Sequence, residues 1–117
     1  MPRTERKIEH LNAGLQREPL VVRVVSDVVE KPWGQGRRNG IMVWCLVGDD
    51  TGEMRLIGFN AVVDRVRNIL VRDRVVELTV FDCRSTKEEF RTTVLKLEIV
   101  LSLSSLVTAV AHVSRER

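Results

Sequence analysis

Two phenylalanines are the residues of this chain best suited to a binding chemistry. Phe59 and Phe90 end neighbouring strand-like runs in a chain with one other phenylalanine, two tryptophans and no tyrosine. The face of such a ring can stack on an unstacked nucleotide base, and a basic protein attracts the phosphates. Either ring could instead be a core residue, which is the common fate of phenylalanine in a small barrel. The charged residues around Phe90 favour a ring that projects from a loop, whereas Phe59 has Arg55 and Asn60 as neighbours.

A third aromatic candidate lies in a basic segment rich in glycine. Residues 33–40 contain Trp33, three glycines and two arginines, a composition that predicts a mobile basic loop. Trp33 could brace this loop against the fold or stack directly on a base. Trp44 and Phe81 lie inside apolar runs, so both are predicted to be core residues.

Cations from four separated segments would converge on the same surface if the strands pair as expected. Nineteen lysines and arginines against sixteen acidic residues give a net charge of only +3, so their placement matters more than their number. Arginine can hold phosphate electrostatically and can also bond or stack on bases. The candidates are Lys31, Arg37, Arg38, Arg55, Arg84, Lys87 and Arg91.

Catalytic and metal-binding patterns are not found in the sequence. The chain has two histidines, His10 and His112, near opposite ends, and neither is close in sequence to Cys45 or Cys83. The glycines of residues 33–40 are not followed by the Gly-Lys-Ser/Thr of a phosphate-binding loop. We therefore expect no enzyme activity, no metal and no cofactor. No signal-peptide or membrane-spanning stretch is predicted, which favours a soluble intracellular protein without a membrane partner.

The order of the predicted elements indicates an all-β fold. Five strands are predicted at residues 20–29, 41–47, 54–59, 74–83 and 93–103, with a hairpin turn at 48–52. One short helix, capped by Asn60, is predicted between strands three and four, and residues 104–113 suggest a small terminal helix. This is the layout of a five-stranded OB-fold barrel. A length of 117 residues predicts a single domain over 1–117, with its core at about 8–107 and flexible N-terminal residues.

Residues 33–40, 48–55 (GDDTGEMR) and 58–64 (GFNAVVD) match a known pattern. The chain resembles the first major DNA-binding OB domain of the large subunit of replication protein A, the eukaryotic single-stranded DNA binding protein. The likeness covers about residues 8–107, and Trp33, Phe59 and Phe90 match the loop tryptophan and the two base-stacking aromatics of that family without an insertion between them.

The resemblance implies a nuclear, non-catalytic module that binds single-stranded DNA in replication, repair and recombination. It implies that other OB domains or the subunits of a heterotrimer are partners, and that Arg55, Arg37, Lys31 and Arg84 contact the strand. It also implies that Glu98 accepts hydrogen bonds from bases. The chain departs from the family at residues 38–39 and in strand four. A protein-interaction OB module, a diverged meiotic or telomeric paralog and an RNA binder stay open as alternatives.

Overall fold

The computed structural model describes residues 6–35, 38–85 and 97–110. The described residues form a sheet of short and long strands, one α-helix and one 3-10 turn. The elements are the 3-10 turn Ile8–His10, β1 Gly14–Gln16, β2 Leu20–Val24, β3 Val29–Gln35, β4 Arg38–Asp49, β5 Gly52–Phe59, α1 Ala61–Val66, β6 Val75–Thr79, β7 Phe81–Ser85, β8 Leu97–Val100 and β9 Leu106–Ala109.

Residues 75–85 bend in the middle, and their two halves pair with opposite ends of the central sheet, which curls the sheet. The strand order is β1-β7-β8-β5-β4-β2-β6-β9, with β3 paired to β4. The predicted fourth strand is therefore two strands, β6 beside β2 and β7 beside β8. Val80 joins them with a φ of 58°, a conformation rarely adopted by a β-branched residue. The strands β5 and β8 run parallel, so the element order and the curl are those of the predicted OB barrel.

Alternating apolar residues supply the core. Leu20, Val22 and Val24 are buried on β2, while the residues between them are exposed. The buried residues of the other strands and the valines of α1 join them in one cluster, in which Phe81 is only 1% exposed. The prediction that Phe81 is a core residue is confirmed.

The hairpin predicted at residues 48–52 is confirmed, and it also holds the start of the chain. Asp49 pairs with Gly52 across a two-residue turn. The Asp49 carboxylate accepts hydrogen bonds from the backbone N–H of Ile8 (2.8 Å) and from the N–H and hydroxyl of Thr51. Burial acts to raise the pKa of Asp49, but these hydrogen bonds and the charge of Lys7 together lower it. Strand β1 and the 3-10 turn were not predicted.

Residues 33–40 were predicted to be a loop, and this prediction is wrong for the residues described there. Strand β3 pairs with β4 through Trp33↔Gly40, Gly34↔Asn39 and Gln35↔Arg38, so an antiparallel ribbon extends from the sheet. The predicted first strand, 20–29, is correspondingly divided between β2 and β3. Continuous cross-strand pairing overrides the weak strand propensity of glycine here.

Asn60 precedes helix α1, but its side chain does not cap the helix as predicted. It has a φ of 57°, and its Oδ1 accepts a hydrogen bond from the N–H of Ile41 at 3.3 Å. The predicted short helix between the third and fourth predicted strands is present as α1, with Val62, Val63 and Val66 on its buried face. Asn60 thus fastens the end of β5 to β4.

The predicted terminal helix at 104–113 is wrong for the residues described there. Leu106–Ala109 is instead strand β9, which pairs antiparallel with β6. The apolar residues fit helical spacing, but without β9 the edge of β6 would have unpaired backbone groups. Val107 and Thr108 are β-branched and favour the strand that pairs with this edge. Of the predicted fifth strand, Leu97–Val100 is present as β8, residues 101–103 are not in a strand, and residues 93–96 lie outside the described residues.

Candidate nucleic-acid interface

A groove crosses the outer face of four neighbouring strands and the ribbon that extends from them. It holds a volume of about 780 Å³. Its lining combines an apolar floor with charged groups and comes from β3, β4, β5, β7 and β8: Lys31, Met42, Trp44, Arg55, Ile57, Phe59, Arg84, Ser85 and Glu98. No other part of the described chain brings so many of the predicted binding residues together.

Strand alternation explains why these side chains share one face. Residues two apart on a strand point to the same side of a sheet. Met42 pairs with Phe59 and Trp44 pairs with Ile57, so two rows of large side chains cross the floor of the groove. Val43 and Cys45, which alternate with them, are 0% exposed and belong to the core.

Phe59 and Trp33 form a pair of rings at one end of the groove. Phe59 is half-buried, and Trp33 is 36% exposed. Their ring centroids lie 5.6 Å apart with an interplanar angle of 77°, an edge-to-face contact. Such a contact holds two rings in a defined orientation. The ribbon of β3 and β4 therefore positions Trp33 against Phe59.

A carboxylate shared by two arginines lies in the wall of the groove. Arg55 donates from Nε (3.0 Å) and Nη2 (2.8 Å) to Oε1 of Glu98, and Arg84 donates from Nε to Oε2 at 3.2 Å. The Glu98 side chain is 6% exposed and that of Arg55 16%, whereas that of Arg84 is 54% exposed. A buried carboxylate needs such partners. The two positive charges of the guanidinium groups exceed the single negative charge of the carboxylate, and the exposed Lys31 adds a further cation to the groove.

The structure describes only part of the predicted site. Phe59, Lys31, Arg55, Arg84 and Glu98 line one groove, Trp33 contacts Phe59, and Asn60 lies directly after it. The remaining predicted residues cannot be located relative to the groove, because they lie outside the described residues or, for Arg38, have a side chain outside them: Phe90, Arg37, Lys87, Arg91 and Arg38.

Trp44 was predicted to be a core residue, and this prediction is wrong. Its side chain is half-buried and lines the groove, where the guanidinium carbon of Arg55 lies 5.9 Å from the centroid of its ring. Strict alternation would have shown this from the sequence. If Cys45 and Val47 face the core, Trp44 and Met42 must face outward.

The two cysteines are unsuited to nucleophilic chemistry. Cys45 and Cys83 are buried and unpaired. Burial raises the pKa of Cys45 to about 12 and that of Cys83 to about 11, so both thiols stay protonated at neutral pH. Within the described residues, no three His, Cys, Asp or Glu side chains group where they could hold a metal ion, and no helix could span a bilayer.

Several solved structures share this fold. One is a chain of a replication protein A heterotrimer bound to single-stranded DNA, with a TM-score of 0.82 and 26% identity, covering 90% of this chain and 24% of that one. DNA-binding domain A of Saccharomyces cerevisiae replication protein A has a TM-score of 0.75 and 21% identity, covering 97% of this chain and all (100%) of that one. The OB domain of Ta0387 from Thermoplasma acidophilum has a TM-score of 0.68 and 14% identity, covering 96% and 92%.

No protein-family model matches the chain, and no curated protein sequence matches it. The chain spans about a quarter of the heterotrimer chain, 24% of its length. Strand order, curl and structural likeness together identify this chain as an OB fold.

Proposed function

We propose that this chain is a non-catalytic module that binds single-stranded DNA with little sequence preference. It would act in DNA replication, repair and recombination, in the nucleus, as part of a protein of the replication protein A large-subunit type. One observation carries the proposal: the groove has an apolar, aromatic floor with cations along its walls. Bases and phosphates of an unpaired strand need those two surfaces side by side.

The aromatic floor would supply most of the short-range binding energy. Phe59 would stack on a base, with Trp33 holding the ring edge-on or stacking on a neighbouring base. Stacking on a protein ring is worth roughly 1 to 3 kcal/mol per base and tolerates every base, because each has a π-face. This accounts for binding without sequence preference. Phe90 would add a second platform.

The charged residues would hold the backbone of the strand. Lys31 and Arg84 are exposed in the groove and suited to phosphate, while the buried fork of Arg55 on Glu98 is suited to contact with a base or sugar. Arg37, Arg38, Lys87 and Arg91 are proposed as further contacts of the same kind. Each phosphate neutralised releases counterions, which makes the affinity depend on salt.

Two polar side chains could read the edges of bases without selecting a sequence. Glu98 would accept hydrogen bonds from bases beside the three that Arg55 and Arg84 donate to it, since a carboxylate has roughly four lone-pair sites. The Oδ1 of Asn60 accepts a hydrogen bond from the N–H of Ile41, so Asn60 would contact a base through its side-chain amide N–H groups.

The size of the chain suits a module that works in tandem. A groove floored by a few rings holds only a few nucleotides, and the likeness covers 24% of the length of a replication protein A chain. Linking to other OB domains or to the subunits of a heterotrimer would raise the affinity through effective concentration. The isolated module is expected to bind weakly.

Titration of labelled oligodeoxythymidine, followed by fluorescence anisotropy at several salt concentrations, tests the proposal. We expect saturable binding at low salt, with a log-log salt slope of about −0.7 per phosphate contacted. A duplex and an oligouridine of equal length serve as competitors. No binding even at low salt would contradict the proposal and favour a protein-interaction module, and clear preference for oligouridine would favour an RNA binder.

A further inference from the structure

Trp44 is a large ring that lines the groove and does not belong to the buried core of the described residues. Its neighbours along β4, Val43 and Cys45, are 0% exposed and belong to that core. A half-buried tryptophan on the outer face of a barrel leaves part of its apolar ring in water, which is unfavourable unless another flat group covers it. The ring therefore indicates a ligand surface.

We propose that Trp44 is a further base-stacking platform, one row along the groove from the platform at Phe59. This proposal rests on the proposed binding of single-stranded DNA and extends it to a residue outside the predicted set.

The register of the strands gives the spacing between the two platforms. Phe59 lies opposite Met42, and Trp44 is two residues farther along β4, opposite Ile57. Diagonal neighbours of this kind on adjacent antiparallel strands lie about 7–8 Å apart. That is about twice the 3.4 Å rise between stacked bases in DNA, so the two rings would hold two bases apart from each other. A splayed, extended strand is the form in which each base can lie on a protein ring.

The guanidinium of Arg55 lies over the Trp44 ring. Its carbon is 5.9 Å from the ring centroid, within the distance of about 6 Å for a cation–π contact. Glu98 accepts two hydrogen bonds from Arg55 and thereby orients this guanidinium beside the ring. A base on Trp44 would lie within reach of that guanidinium.

Tryptophan fluorescence reports on this contact directly. The chain has two tryptophans, so the variant Trp33→Phe leaves Trp44 as its single emitter. Oligodeoxythymidine is added to this variant while the anisotropy of a labelled strand records binding in parallel. Stacking predicts that Trp44 emission is quenched in step with binding. This readout keeps the ring in place, so it does not depend on whether a truncated variant folds.

Truncation gives the second readout. Trp44→Ala should weaken binding of oligodeoxythymidine by about 5-fold to 150-fold, the range for loss of one stacked base. Leu106→Ala is the matched control, because Leu106 is 60% exposed and does not line the groove, and its affinity should stay within about twofold of the parent.

The outcomes separate this inference from the proposed function. Quenching together with the loss in Trp44→Ala supports the platform. Binding of the strand with unchanged Trp44 emission, or with an affinity of Trp44→Ala equal to that of Leu106→Ala, overturns the platform and leaves single-strand binding standing. Failure of the unmodified chain to bind any single strand overturns both.

Discussion

Truncation of Phe59 distinguishes a ring that binds from a ring that stabilises the fold. Phe59→Ala removes the proposed stacking surface, so the affinity for oligodeoxythymidine should fall by about 5-fold to 150-fold. Stability should change much less, because the ring is half-buried and its described aromatic partner is Trp33, at 5.6 Å. Loss of an edge-to-face pair costs about 0.5–1.5 kcal/mol beyond the area it buries.

Phe81→Ala is the matched control, since the same residue type is there 1% exposed. Its free energy of unfolding should fall by about 3–5 kcal/mol, the usual cost of emptying a buried phenylalanine site. Urea unfolding followed by circular dichroism measures stability, and anisotropy measures binding on the same samples. The reasoning is refuted if Phe59→Ala unfolds as readily as Phe81→Ala, or if it binds the strand as well as the parent does.

Three further predictions concern the stability of the fold. A Cβ at Gly40 would overlap Oδ1 of Asn60, so Gly40→Ala should lower the free energy of unfolding by about 1–2 kcal/mol. Adding Asn60→Gly to this variant should recover most of the lost free energy. If it recovers none, the Asn60 side chain is not the source of the strain. Glu98→Gln should cost about 1–3 kcal/mol in urea unfolding, because it removes the buried negative charge and replaces one of the two accepting oxygens with an amide donor that faces an arginine. The exposed Arg84→Ala should cost less than about 1 kcal/mol, and equal losses would contradict this reasoning. The pKa of Asp49 is lowered from its ordinary value of 3.8, so the ionised carboxylate stabilises the fold above pH 3.8 and this stabilisation is lost as the pH falls through the lowered pKa. Asp49→Asn should therefore have a lower melting temperature than the parent at neutral pH, and the difference should shrink in acid. A difference that does not depend on pH would contradict this prediction.

The parts of the fold that are local in sequence were predictable. Alternation of Leu20, Val22 and Val24 indicates a strand with one buried face, and the turn after Asp49 indicates a hairpin. The valines of α1 repeat at helical spacing. In each case a short segment holds the whole pattern, so no knowledge of distant residues is needed.

The parts that depend on distant partners were not. Residues 104–110 satisfy a helical pattern, yet β6 has an edge that only another strand can pair, and nothing near residue 106 indicates that edge. The bend at Val80 is likewise imposed by pairing at both ends of the sheet rather than by a glycine or proline. Register, not propensity, decides these elements.

The candidate site shows the same division. The types of Phe59, Trp33 and Arg55 suggested a basic, aromatic surface, and the structure brings these three together in and beside one groove. The pairing of Arg55 with Glu98 and the outward ring of Trp44 arise from neighbours on other strands. Residue type thus suggests the kind of binding chemistry, whereas strand register determines which side chains lie together in the groove.

Binding of a labelled oligodeoxythymidine to the unmodified chain, measured by anisotropy across a salt series, tests the central claim most directly. Saturable binding that weakens linearly in a log-log plot of affinity against salt, and that a duplex of equal length competes for poorly, is the predicted result. An isotherm that stays flat at the lowest salt would contradict the claim that this groove binds an unpaired strand.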